Sequence, residues 1–478
     1  MASSGDTPRG PSLSDPSATQ LSRRTVLKGV AGVAGLAGVS AFLAACGAGA
    51  TTAPTKAPSA STAPAAPAGS APAPAASATG QVTIGSNNSD PAPKKGMQLI
   101  NTAFTQATGI QVVMNTVDHN TFQDQISAYL QGTPQDTFLW FSGHRMRFFA
   151  DQGLVTPIDD VWASVKNNFT SAFATAVTGS DGKVYGIPID YYPWAVFYRK
   201  SVFAEHNYQI PATWTDLMSL CQTMQKDGLI PFAFGDKDGW PAMGTFDILD
   251  LRLNGYDFHI GLLNGKEKWT DPRVTAVFNQ WKLLLPYSDT QFAGLTWEQS
   301  ADKLIQKKAG MYLLGLFVSQ EFVAAGSPAD LADLDFFAFP ALGTPYDAEK
   351  ALDAPIDVIM MSAKSRSLQQ DMANAKAYLQ FWSKGSTQLI MFNEGTGLIP
   401  PALDTDTSGY TALDKKAVEI VNSAKKITQF LDRDSRSDFA GANGMQSFLG
   451  TFLKNPNGDI QKLQSQIQSF WDSLPPEA

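Results

Sequence analysis

From residue 81 onward, short β-branched or aromatic runs alternate with segments whose apolar residues recur every three or four positions. This alternation restricts the fold more than any other feature. "QVTIGS" reads as a strand, and Met97, Ile100 and Phe104 then give one face of a helix. "IQVVMN" reads as a second, buried strand, followed by a helix with Phe122, Ile126, Tyr129 and Leu130 inward. "TFLWFSG" is a third strand, and Met146, Phe149 and Ala150 face one way on the helix after it. Strands separated by helices of this length need crossover connections, which predicts a layered α/β architecture. The pattern restarts after "KVYGIPID": Trp194 to Tyr198 is strand-like, and "PATWTDLMSLCQTMQKDG" is a helix. Thr213 with Asp216 three residues on predicts its N-cap, Gly228 its end, and Trp214, Leu217, Met218, Cys221 and Met224 its buried stripe. "IPFAF" is the next strand. The C-terminal third is mostly helical, and no repeat of 20–50 residues is present.

The first 80 of the 478 residues hold one aromatic, Phe42, of 51 in the chain. The remaining residues can bury a large core and exceed the usual size of a single domain, so two lobes are expected. Net charge is −8 overall, and residues 81–478 carry 31 basic against 42 acidic side chains. That balance argues against nucleic acid or an anionic membrane surface as the main partner. Of the two cysteines, Cys221 lies on an apolar helical face and is expected to be a buried free thiol.

The early segment has other uses. Arg23 and Arg24 precede Leu27, Lys28 and the apolar run Val30 to Ala45, which is short for a bilayer-spanning helix and reads as an export signal. The paired arginines resemble a twin-arginine signal, and Leu43-Ala44-Ala45-Cys46 resembles a bacterial lipobox, which implies diacylation of Cys46 and a chain held at the membrane. Residues 47–80 are Gly, Ala, Thr, Pro and Ser apart from Lys56 and have nothing to pack, so a disordered tether is expected.

Signals for catalysis are absent from the sequence. His119, His144, His206 and His259 are scattered and form no zinc pattern with a cysteine, and no Gly-x-Ser-x-Gly elbow, P-loop or dinucleotide fingerprint occurs. No catalytic residue, metal or cofactor is expected. The positive signal is for carbohydrate. "FGDKDGWPAMGTF", at the carboxyl end of the "IPFAF" strand, holds Trp240 between Gly239 and Pro241 beside Asp236 and Asp238. A pyranose presents apolar C–H faces and a rim of hydroxyls, so its complement is a flat ring beside short charged or amide groups. Ligands in open α/β sheets bind at the carboxyl ends of strands. Similar groups recur there: Asn87 and Asn88 after the first strand, His144 and Arg145 after the third, and Asp190, Tyr191, Tyr192 and Trp194 in "IDYYPW". Turn formation explains Asn87 and Asn88 equally well, helix capping His144, and packing between lobes Tyr191, Tyr192 and Trp194.

The order and spacing of "FFADQGLVTPIDDVW", "DGKVYGIPIDYYPWAVFYRKSVF", "PATWTDLMSLCQTMQKDGLIPFAFGDKDGWP", "WTDPRVTAVFNQWKLLLP", "DKLIQKKAGMYLLGLFV" and "ANAKAYLQFWSKGSTQLIMFNEGTGLIPP" resemble the extracellular solute-binding proteins of bacterial ABC sugar importers, the maltose- and oligosaccharide-binding group. The resemblance spans nearly all of residues 81–478. It implies a two-lobed periplasmic-binding-protein fold, with hinge crossings near Asp190 to Trp194, just before "PIDVIMM" and near Pro400. One lobe would be 81–190 with 356–400, the other 191–355 with 401–478. The implied ligand contacts are Asn87, Asn88, His144, Arg145, Tyr191, Tyr192, Trp194, Asp236, Asp238, Trp240, Phe317, Asp357, Asp432 and Arg433. The implied function is a monomeric, membrane-anchored, exported protein that captures a mono- or oligosaccharide and hands it to the permease subunits of an ABC importer. A polyol, peptide or glycerophosphodiester ligand on the same fold, and a surface glycosidase, are the alternatives. Many relatives have two tryptophans after the first strand and another near Phe317, where this chain has Asn87-Asn88 and Phe317 itself.

Overall fold

A computed structural model describes residues 80–364 and 369–476. The export motif at Arg23 and Arg24, Cys46 and most of the Pro/Ala-rich tether lie outside the described residues.

The strands, in chain order, are β1 (Gln81–Ser86), β2 (Gln111–Thr116), β3 (Thr137–Phe141), β4 (Val155–Thr156), β5 (Gly186–Tyr191), β6 (Trp194–Arg199), β7 (Ile230–Ala233), β8 (Ala309–Gly315), β9 (Leu334–Phe337), β10 (Leu352–Asp353), β11 (Ile356–Ser362) and β12 (Ile427–Thr428). They form two separate layers. The first sheet runs β2-β1-β3-β11, and the far edge of β11 is shared by β4 and β5. The second runs β7-β8-β6-β9, and β10 pairs with β12 as a short ribbon. In the first sheet β1 is parallel to β2 and β3, because the helices Pro91–Thr108 and His119–Gln131 carry the chain back between them.

The sheets are joined where strands run on from one to the other. β5 ends at Tyr191, and after Tyr192 and Pro193 the chain enters β6 of the second sheet. The return passes from β10 through Ala354 and Pro355 into β11. The third passage comes later than Pro400. Ile399 still pairs with Tyr191, Leu403 N donates to Asn168 O at 2.9 Å, and Asp404 accepts from Gly385 N at 2.7 Å. Only then does the helix Ala412–Ser423 reach the second sheet, where Lys416 pairs with Asp335 at 2.7 Å.

The helix Trp214–Lys226 opens with the expected capping box, Thr213 with Asp216, and buries Leu217, Leu220, Cys221 and Met224, while Trp214 and Met218 are half-buried. Cys221 is a free, buried thiol whose pKa burial pushes up to about 12. The second strand departs from expectation. β2 pairs only with β1, and none of its residues is buried: it is the sheet edge, and Val113 is 50% exposed. Its apolar composition serves the one covered flank of an edge strand rather than an interior one.

Candidate functional site

A cavity of about 270 Å³ opens between the two sheets at the carboxyl ends of β1 and β2. Its first-sheet wall is polar. Asn87 and Asn88 follow β1, and Ser89 Oγ accepts from His119 N at 3.1 Å, tying that loop to the start of the helix His119–Gln131. Asp118 caps the helix by accepting from Thr121 N at 3.0 Å. His119 lines the cavity with Nε2 2.9 Å from Gln123 Nε2, so this nitrogen accepts and Nδ1 carries the proton. Burial, then the nearby Arg433 charge, push the His119 pKa down to about 4, so the ring is neutral at physiological pH.

The floor is ionic. Asp357 lies on β11 opposite Asp190 on β5, and the Arg433 guanidinium bonds Asp357 Oδ1 while lying 3.8 Å over the Phe141 ring. Arg433 also faces the Tyr192 ring at 5.6 Å. This pair offers a donor and an acceptor side by side, as two vicinal hydroxyls require. Behind it, burial and the Asp357 charge raise the Asp190 pKa well above the carboxylate range. Asp190 Oδ1 has no hydrogen-bond partner among the described residues.

The opposite wall is aromatic. Trp240 stands edge-on to Trp194 at 6.3 Å and to Phe317 at 5.9 Å, and Trp297 meets Phe317 at 5.2 Å. Trp194 packs on Phe430 at 5.3 Å. The wall is held from behind by close backbone approach: a Cβ on Gly244 would lie 2.3 Å from the Trp194 ring. Phe430 has φ 62°, an uncommon conformation for a bulky residue that must be held by its surroundings. Its carbonyl accepts from Arg433 N at 2.8 Å and Asp434 N at 2.7 Å, and the next amide, Leu431 N, donates to Asp247. Strain here turns Phe430, Asp432 and Arg433 together toward the cavity.

Of the residues singled out from sequence, the cavity is lined by Asn87, Asn88, Tyr192, Trp194, Asp238, Trp240, Phe317, Asp357, Asp432 and Arg433. Five others stand outside the lining, among them Asp190 behind the floor. Arg145 is buried and reaches Asp432 at 3.4 Å, bracing the lining rather than joining it. His144 begins the helix His144–Asp151 and lies near enough to Asp434 to act on its charge. Tyr191 turns to the other side of β5, against Phe173 at 5.4 Å. Asp236 accepts from Ala242 N at 2.9 Å and so caps the helix Pro241–Asn254, and burial raises its pKa to about 7. Asp236 and Asp238 therefore diverge: one builds the turn and the other faces the cavity.

Sequence reasoning passed over Asp118, His119, Gln123, Trp297, Glu298 and Phe430, which also line it. The first three follow β2, where the strand-end rule applied after β1 and β3 finds them. Phe430 had no local signal, since its position depends on contacts distant in the chain.

A family model described as bacterial extracellular solute-binding protein matches residues 86–384. The solved structure of the bacterial solute receptor AcbH, described as having an exclusive substrate preference for β-D-galactopyranose, is 41% identical, covers 82% of this chain and 99% of its own, and superposes with TM-score 0.78. A chitin oligosaccharide binding protein shares the fold at 21% identity and TM-score 0.72, covering 82% of this chain and 98% of its own. An ABC transporter extracellular-binding protein of Pyrococcus horikoshii is 26% identical over 349 residues, 71% of this chain and 75% of its own.

Proposed function

The chain belongs to the bacterial extracellular solute-binding proteins, and from that premise we propose that its cavity holds a single pyranose, galactopyranose or a close stereochemical relative, for delivery to an ABC permease. The observation that carries this reading is the Arg433–Asp357 pair set into the floor of a cavity with amide and imidazole groups on one side and Trp240, Trp297 and Phe317 on the other. A volume of about 270 Å³ falls at the low end of ligand pockets, which suits one sugar ring better than a long oligosaccharide. Covering roughly 80 Å² of a pyranose face with indole contributes on the order of 2 kcal/mol. The polar wall supplies direction, because each hydroxyl must replace the water it loses.

Binding alone accounts for this arrangement. Of the two facing carboxyls, Asp190 is screened from the cavity and Asp357 is bonded to Arg433, so neither is poised as an acid beside a scissile bond. The sugar touches both lobes only when they are together, so it shifts the population toward the closed state. The lobe division that the two sheets support is 81–191 with 356–405 against 192–355 with 406–478. Residues 401–405 go with the first lobe because of the bonds that hold them to Asn168 and Gly385.

Among the described residues no helix is long and apolar enough to cross a membrane. The Leu-Ala-Ala-Cys resemblance supports a lipid anchor on Cys46 at the outer face of the cytoplasmic membrane. Cys46→Ser is expected to release the protein from the membrane fraction, and retention there contradicts the anchor. The test of function is a thermal-shift and calorimetric panel of D-galactose, D-glucose, maltose, chitobiose, a polyol and glycerophosphocholine. Stabilisation by galactose or a near epimer is expected. A high-affinity signal from a non-sugar alone overturns the proposal.

A further inference from the structure

Beneath the Phe430 segment, the helix Pro241–Asn254 turns acidic residues into the protein interior. Asp247, Asp250, His259 and Asp353 are each 0% exposed. His259 Nδ1 lies 2.8 Å from Asp250 Oδ2, whose partner oxygen accepts from Asn254 Nδ2 at 2.7 Å. That bond makes Nδ1 a donor, and Nε2 is the nitrogen left for another partner. Asp247 Oδ2 accepts from Leu431 N, and Asp353 Oδ1 accepts from the Thr428 hydroxyl. Three atoms are left over: His259 Nε2, Asp247 Oδ1 and Asp353 Oδ2, none with a hydrogen-bond partner among the described residues. His259 Nε2 and Asp247 Oδ1 are 3.8 Å apart, too far to bond each other. One ligand atom from each of Asp247, His259 and Asp353 lies within 4.8 Å of the other two.

Unpaired buried acceptors are costly, and three that converge call for a common partner. The charge balance says what kind. Three carboxylates, Asp247, Asp250 and Asp353, share this interior with the His259 ring and one guanidinium, Arg252, which acts on Asp353. Asp434, close to Asp353, is answered by Arg147. A divalent ion in place of the His259 Nε2 proton brings these groups to neutrality. We propose that Asp247, His259 and Asp353 bind one divalent metal ion of the zinc or manganese class, with Asp250 orienting the imidazole. A nitrogen ligand beside two carboxylates disfavours calcium and magnesium, which take oxygen. Bonds of about 2.0–2.2 Å draw the three side chains inward by a fraction of an ångström. A carboxylate holding the far nitrogen of a metal-bound histidine is the usual support for such a ligand. The ligands are separated along the chain, in two helices and β10, so no local motif announces them. The ion would also be tied to the sugar cavity, since Asp247 holds the amide that follows Phe430.

The test uses the full chain purified without chelator. Elemental analysis is expected to find about one equivalent of zinc or manganese. Chelation lowers Tm, and adding back Zn²⁺ or Mn²⁺, but not Ca²⁺, restores it by about 5 °C. His259→Gln abolishes this response, while His206→Gln, at a half-buried histidine outside the cluster, keeps it. If His259→Gln does not fold, Asp353→Asn takes its place, and the metal content of the unmodified protein decides in either case. Less than a tenth of an equivalent with no add-back effect overturns the proposal. So does a response to Ca²⁺ alone, or an equal response in the His259 or Asp353 variant.

Discussion

The two walls of the cavity are built on opposite principles. The first-sheet wall, Asn87, Asn88, His119 and Gln123, is made of neutral hydrogen-bonding tips on strand ends and a helix start, fixed by short bonds such as His119 N to Ser89. The second wall, Trp240, Trp297, Phe317, Trp194 and Phe430, is a set of rings stacked edge to face and held by close backbone approach. Hydrogen bonds to hydroxyls exchange against water and yield modest net energy, but a missing partner is penalised. Ring burial is non-directional and adds with area. On the proposed function, the polar wall would set which epimer is accepted and the aromatic wall how tightly a pyranose is held, with Arg433 and Asp357 joining the two.

Removing that junction is the largest expected effect. Arg433→Met leaves the half-buried Asp357 without its partner, and ligand affinity is expected to fall at least about a hundredfold with a lower Tm. Calorimetry and thermal unfolding check both, and near-native affinity would remove the pair from the ligand. Trp240→Ala comes next. Losing about 2 kcal/mol of stacking weakens binding roughly thirtyfold for galactose and its epimers alike, with the fold intact. A loss confined to one epimer would place the indole in recognition and break the division between the walls. Asn87→Ala is expected to cost about fivefold to tenfold for the favoured sugar and to narrow its margin over the epimer, measured as the ratio of the two Kd values. An equal loss for both sugars would deny the polar wall its role.

The smallest effect separates two neighbours in one turn. The Asp236 pKa is raised by burial from 3.8 to about 7. The folded chain thus holds a proton there that the unfolded chain releases, so this stabilisation is complete below about pH 4 and is lost as pH rises through about 7. Asp236→Asn keeps an acceptor for Ala242 N without the charge. It is expected to raise Tm at pH 8 and to match the parent near pH 4, with unchanged affinity. Asp238→Asn, facing the cavity, should instead change affinity, and it also flattens the pH dependence of Tm, because burial raises the Asp238 pKa as well.

How much of this was legible in the sequence follows from the same contrast. Periodicity gave the two α/β layers and the capping box at Thr213, because both depend on neighbours in the chain. Strand-end position reached Asn87, Asp238 and Trp240. A period of two already separates Tyr191 from Tyr192 and Trp194, since adjacent strand residues point to opposite faces. Arg145 and Asp236 sit in the right loops but point away from the cavity, and local sequence does not distinguish a charge that meets a ligand from one that braces a turn. His119 and Gln123 follow the end of β2, where the same strand-end rule reaches them. Phe430 and the Asp247–His259–Asp353 cluster depend on contacts between segments far apart in the chain, where no local pattern operates.

The most direct measurement is a crystal structure of the full chain soaked with saturating D-galactose. A pyranose is expected between the walls, its C–H face on Trp240 or Trp297 and two hydroxyls bonded to Arg433 and Asp357. Density for the sugar elsewhere, or an empty cleft at saturation, contradicts it.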